Sequence, residues 1–302
     1  MSWLVFPALL MASPAAAEYH PQPLGVLWHK GNAAILVTSC KTEIGDDPFC
    51  HGLALRKGGK VRQLGGGYLR ARLLWSRKAG GAGPDVLVLG ESGGSGGYGE
   101  LFAVTFSPKP AVAEYSEERL DMVEADPSAG PLRLTLPFDI EYFNGAPHAG
   151  AVIVQIPTIW RNGDFAADMP ALLARHFSAS EIDFRVLALR EELAGWAEDA
   201  YPAGSLYPPQ SSGGTPVTVR ALLEMILSGH ADQARMLLHN AWPRSHQRTD
   251  RPLGGEEAFW KALCQGVVRE PLWKRLRLSR LPHADIVEGG GERRLIRSSP
   301  QR

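Results

Sequence analysis

The residues with the clearest chemical potential are Gly90-Glu91-Ser92-Gly93-Gly94, where the apolar run Val86-Leu87-Val88-Leu89 ends. The pattern G-x-S-x-G sets a serine on a strained turn between a strand and a helix. There its hydroxyl can attack a carbonyl, provided a histidine and a carboxylate reach it. The strand is present and the helix is not. Six of the ten residues from 90 to 99 are glycine, which opposes helix formation. The next apolar run, ELFAVTF, carries the aromatic and β-branched residues of a strand. Downstream partners such as Asp232 with His239 sit in a helical stretch, and His51-Gly52 reads equally as an oxyanion-hole mimic or as a strand start. The residues predict a glycine-rich turn between two strands, where glycine tolerates positive φ and close backbone approach.

The same five residues are similar to the GDSGG segment of chymotrypsin-like proteases, a resemblance that would make Ser92 the nucleophile. Too little chain precedes Ser92 for the two barrels of that family, and no TAAHC-like segment surrounds His51. Glu91, Glu100 and Asp85 flank the loop without a spacing that assigns them acid–base work. No Cys-x-x-Cys or histidine spacing points to zinc, and no cofactor motif is present.

The elements around the loop fall into two groups. Residues 20 to about 165 read as some nine strands with turn signals between them. Gly58-Gly59 and Asn162-Gly163 mark tight hairpins, and YLRARLLWSR alternates with the period of a half-buried strand. EYSEERLDMVEA, residues 114–125, reads as a short helix or a loop. From residue 167 the period becomes helical. Asp168 stands as a candidate N-cap before Pro170, and Ser178 with Glu181 forms a capping box. Ile182, Val186, Leu189, Leu193 and Trp196 then share one helix face. After a proline-rich linker at 201–216, two helices separated by Gly229 and closed by Pro243 predict an antiparallel hairpin. GGEEAFWKALCQGVV adds a helix with Cys264 in its core. LWKRLRLSRL fits either a strand or a helical extension.

Composition bounds the rest. The chain of 302 residues has 32 basic and 32 acidic side chains and is 44% hydrophobic. It is globular in composition, with no charge excess to attract nucleic acid or an anionic membrane surface. Residues 1–17 combine an apolar stretch with Ser13-Pro14-Ala15-Ala16-Ala17, the small residues that a signal peptidase reads. A signal peptide cut after Ala17 implies a periplasmic or secreted protein, and no segment is long enough to span a bilayer. Cys40 and Cys50 flank a turn-rich segment. In an oxidising compartment a disulfide would staple it, and without export two reduced thiols fit equally. The expected fold is α+β: an antiparallel β-meander domain at 18–166, propeller-like or a sandwich, an α-helical domain at 167–288, and a basic tail at 289–302.

Two resemblances accompany these readings. DVLVLGESGGSGGYGELFAV resembles the FG-GAP repeats of integrin-type β-propellers, in which a D-hydrophobic strand ends in a glycine-rich turn before an aromatic strand. AVIVQIPTIWRNGDF resembles the closing strands of such a unit. That family's calcium loop, D-x-D-x-D-G, has no equivalent; DIEYFNG at 139–145 comes nearest, so no metal is expected. Nine strands would make about two blades, so an open sheet or a sandwich is implied. SGHADQARMLLHNAWP resembles the second half of a tetratricopeptide hairpin, with Gly229, Ala234, Leu238, Ala241 and Pro243 at the small, large, small and proline positions. The combination resembles exported bacterial proteins, a class that implies no particular activity.

The expectation is a non-catalytic binding or assembly module of the cell envelope, with another envelope protein or a glycan as partner. The glycine loop, with Gly90, Ser92, Ser95 and Tyr98, and the helices around His230, His239 and Trp242 are its candidate surfaces. The alternative is a secreted serine hydrolase built on Ser92. A carbohydrate binder using exposed tryptophans is a third option.

Overall fold

Turn chemistry sets the first strands. Gly31-Asn32 links β1 (Pro23–Lys30) to β2 (Ala33–Thr42), and Gly58-Gly59 links β3 (Gly45–Lys57) to β4 (Lys60–Tyr68). Gly58 and Gly59 take φ of 57° and 82°, the left-handed values that a two-residue hairpin requires. The computed structural model describes residues 23–42, 45–78, 81–94, 96–107, 109–126, 131–141, 143, 151–198, 215–244 and 255–290. The predicted signal segment, Ser95, most of the 201–216 linker and the tail beyond Gly290 lie outside these residues.

The chain continues through β5 (Arg70–Ser76), β6 (Val86–Gly93), β7 (Tyr98–Thr105), β8 (Ala111–Glu117), β9 (Glu124–Ala125), β10 (Arg133–Ile140), β11 (Val152–Arg161) and β12 (Asp164–Ala167). These twelve strands form three four-stranded antiparallel sheets, each made of strands consecutive in the chain, and no barrel closes among the described residues. The sequence reading lacked β8, β9 and β12. Residues 114–125, expected as a short helix or a loop, are instead the end of β8, a 3-10 turn at Leu120–Met122 and β9.

The sheets stack through the alternation of side chains. Val86, Val88, Phe102 and Val104 on one face of the second sheet meet Ile35, Leu53 and Leu55 of the first. Leu87, Leu89 and Leu101 on its opposite face join Leu134, Leu136 and Phe138 of the third. Burial on both faces explains why VLVL and LFAV are unbroken apolar runs. At the far end of β2 a disulfide joins Cys40 to Cys50, with Cα atoms 5.4 Å apart. It spans the irregularity in the β2–β3 register between Ser39 and Cys40.

The helical part follows without a gap: β12 ends at Ala167 and α1 (Met169–Leu173) begins two residues later. One half of the capping box forms at the start of α2 (Ala179–Glu198): the Glu181 amide donates to Ser178 Oγ at 3.2 Å, while the Glu181 carboxylate accepts from Arg185. α3 (Pro216–Leu227) and α4 (Ala231–Ala241) form the predicted hairpin, turning at Gly229 with φ of 81°. α5 (Glu256–Arg269) runs into α6 (Pro271–Arg275), and α7 (Ala284–Glu288) ends the described chain. LWKRLRLSRL is thus helical, as α6 and a 3-10 turn. One buried cluster includes the second sheet, the third sheet, and Leu222, Leu238 and Phe259 of the helices, so the helices share the core of the last two sheets. No helix among the described residues is long and apolar enough to cross a membrane.

Candidate functional site

The glycine loop is a β-hairpin. β6 runs through Ser92 to Gly93, and β7 begins at Tyr98 in the same antiparallel sheet. The strand-to-helix turn of a nucleophile elbow is therefore absent. Gly93, Gly94 and Gly97 take the positive φ of the turn, and Gly90 and Gly99 serve packing. A Cβ on Gly90 would lie 2.5 Å from two ring carbons of Tyr68, and Tyr68 is only 1% exposed. The Tyr68 hydroxyl donates to Glu100. Glu91 is held between Arg70 Nε at 2.5 Å and Arg72 Nη2 at 2.6 Å. Asp85 pairs with Arg77 and accepts the Phe106 amide at 2.6 Å. Glu100, Glu91 and Asp85 are thus each tied to a structural partner. Ser92 is half-buried, and Tyr98 is exposed at the tip.

The helical candidates are also committed to structure. Trp242 is 8% exposed and packs against Trp196 and Phe259, with ring centroids 6.1 and 5.6 Å away, so it belongs to the core and not to a surface. His230 caps α4, and its Nε2 lies 3.0 Å from the Arg175 carbonyl. His239 Nδ1 lies 3.1 Å from Glu256 Oε2, whereas Asp232 faces His283 at 3.8 Å. Asp232 and His239 therefore have different partners and form no relay. Among the described residues no hydrogen bond, ion pair or ring contact joins this hairpin to the glycine loop. Every described tryptophan is buried or half-buried, and none is exposed.

The structure instead opens a cleft of about 590 Å³ at the edge of the third sheet. β9 pairs with β10 only at Leu134 and Thr135, so this edge is short. Glu124 and Asp126 line one side, Arg133 and Thr135 come from β10, and Asp168 with Pro170 closes the α1 side. Leu134, Pro157 and Ala171 supply apolar lining. Asp168 is 5% exposed and sits 3.2 Å from Arg133 Nε. The sequence marks Asp168 as an N-cap, yet its side chain makes no cap bond. Only its carbonyl serves α1, accepting the Leu172 amide at 3.0 Å, while the carboxylate turns to Arg133. Thr158 is fully buried beneath, donating to the Leu134 carbonyl at 3.0 Å.

Three carboxylates against one guanidinium give the cleft a negative bias. It has hydrogen-bonding groups around an apolar floor, the composition of a recognition site. Among the described residues no serine, cysteine or histidine lines it. Among the described residues no group of three or more His, Cys, Asp or Glu side chains is arranged to hold a metal ion. The residues that build the cleft come from four separate stretches, 124–126, 133–135, 157–158 and 168–171. No local motif marks them; the one signal was Asp168, whose type fits a cap as well as an ion pair. Compared with protein-family models, with curated proteins and with solved structures, the chain matches none.

Proposed function

We propose that the protein is a non-catalytic binding or assembly module of the cell envelope, exported after cleavage at Ala17, and that its partner docks in the cleft beside Arg133 and Asp168. The observation that carries this reading is the cleft itself: a buried, ion-paired aspartate beneath an acidic rim. The partner that fits is a protein segment with a basic side chain, because the rim has an excess of carboxylates and no exposed aromatic ring to stack a sugar. The Cys40–Cys50 bond supports an oxidising compartment, in keeping with the N-terminal Ala-x-Ala site.

Two measurements test it. Intact mass of the protein recovered from the periplasm reads the N-terminus; a start at Glu18 supports export, and an uncleaved chain refutes it. An NMR titration with a pentalysine peptide, and with pentaglutamate as control, reads the cleft. Shifts confined to residues 124–135 and 157–171, seen only with the basic peptide and weakened by Glu124→Gln with Asp126→Asn, support the assignment. Shifts spread evenly over the surface, or none, refute it.

A further inference from the structure

The outward face of α2 is apolar where a surface helix is expected to be polar. Leu189, Leu193 and Trp196 are buried in the core, and Ile182 and Val186 pack against it. At 3.6 residues per turn, Phe184 and Leu187 fall on the opposite side of the helix, one turn apart. They are 72% and 62% exposed. Core packing therefore does not account for either side chain, and an exposed pair of this size marks a contact surface.

The charges beside the pair are arranged as unlike neighbours. Asp183 and Arg190 are both exposed and lie two turns apart on one flank of Phe184 and Leu187. Arg190 Nη2 donates to the Asn240 carbonyl at the end of α4 at 2.8 Å, which fixes the guanidinium on that flank and leaves its other N–H groups available. The ion pairs that α2 makes within the chain lie on the other flank, where Arg185 joins Glu181 and Glu224.

A second copy of α2 fits this face in one orientation. In an antiparallel pair each flank meets the same flank of the other copy. A two-fold axis midway between Phe184 and Leu187 sets Phe184 of each copy on Leu187 of the other. The same operation brings Asp183 against Arg190 twice, as a self-complementary patch requires. A parallel pair would set Asp183 and Arg190 against Ala188 and Gly195 of the other flank, which carry no charge. We propose that α2 is a self-association surface: two copies of the chain meet across antiparallel α2 helices, with Phe184 on Leu187 and Asp183 paired with Arg190 on both sides of a two-fold axis. Two apolar layers and two ion pairs make a contact at the small end of interface sizes, so the dimer forms and dissociates with concentration. The cleft residues take no part in it.

Sedimentation velocity on the full chain between about 5 and 500 µM tests the surface, and the weight-average mass should rise from one copy toward two. Leu187→Glu should raise the dissociation constant by about tenfold or more. Asp183→Arg makes the flank wholly positive and Arg190→Asp makes it wholly negative. Each should weaken the dimer alone, and mixing the two variants should restore it as a one-to-one pair. All three positions are exposed, so the variants should keep the circular dichroism of the parent. A chain that stays monomeric over the whole range, a dimer that Leu187→Glu leaves intact, or charge variants that pair no better mixed than alone would each overturn the proposal.

Discussion

Replacing Gly90 with alanine separates the packing role of the GESGG segment from a catalytic one. The added methyl would stand 2.5–2.6 Å from Cε2, Cζ and Cδ2 of Tyr68, where carbon atoms prefer about 3.5–4.0 Å. The ring would have to retreat by about 1 Å. It has nowhere to go: Tyr68 is 1% exposed, its hydroxyl is bound to Glu100, and Gly65 backs the hydroxyl on the far side. Overpacking of this kind costs about 1–3 kcal/mol, read as a lower urea midpoint at unchanged slope. Tyr68→Leu should relieve part of it, giving a coupling of about 0.5–3 kcal/mol in a double-mutant cycle. Ser92→Ala, at a half-buried site with no partner to lose, should stay within about 0.5 kcal/mol of the parent, and the parent should take up no fluorophosphonate. A Gly90→Ala protein as stable as the parent would refute the packing argument. An adduct on Ser92 would return the segment to catalysis.

Two further outcomes follow from the cysteines. Cys264 is fully buried on α5, and burial pushes its thiol up to about 12. Iodoacetamide at pH 8 should leave the native protein unmodified and add one group after denaturation without reductant, as read by intact mass. The Cys40–Cys50 bond closes a loop with a sequence separation of 10. The chain-entropy model puts its contribution at about 2.5–3 kcal/mol, so Cys40→Ala with Cys50→Ala should lower the urea midpoint accordingly, and an unchanged midpoint would count against that assignment.

The hairpins were legible because their signals are local. Gly58-Gly59 and Asn162-Gly163 act through their own dihedral angles, and Ser178 with Glu181 caps within one turn. The apolar runs of β6 and β7 were legible as strands, although their two-sided burial is a property of the stack. The missing strands depend on neighbours. β9 is two residues defined only by their pairing with Leu134 and Thr135, and β12 is the return arm of the Asn162-Gly163 turn. β8 carries Glu114 and Glu117 among small residues, a mixture that reads as helix or loop without the strand beside it. The cleft was not legible for the same reason: it gathers residues far apart in the chain by sheet register and helix docking. Trp242 and His239 looked alike as exposed candidates on one helix, yet packing against Phe259 buries the first, while the second remains half-exposed beside Glu256.

Every strand pairing in the three sheets joins neighbours in the chain, and this imposes an order of assembly. Backbone hydrogen bonds of the first sheet need nothing beyond Tyr68. The Tyr68 side chain, by contrast, has no seat until Gly90 and Glu100 arrive with the second sheet. The second sheet in turn leaves Leu87 and Leu101 uncovered until the third is made. Local pairing makes each sheet quick to form, and the slow events become the successive closures of one sheet on the next. A chain emerging amino end first, from a ribosome or a membrane pore, would meet those closures in the same sequence, with the helices as the last cover. Pulse labelling of chains arrested after residues 68, 117 and 167 would read that order directly.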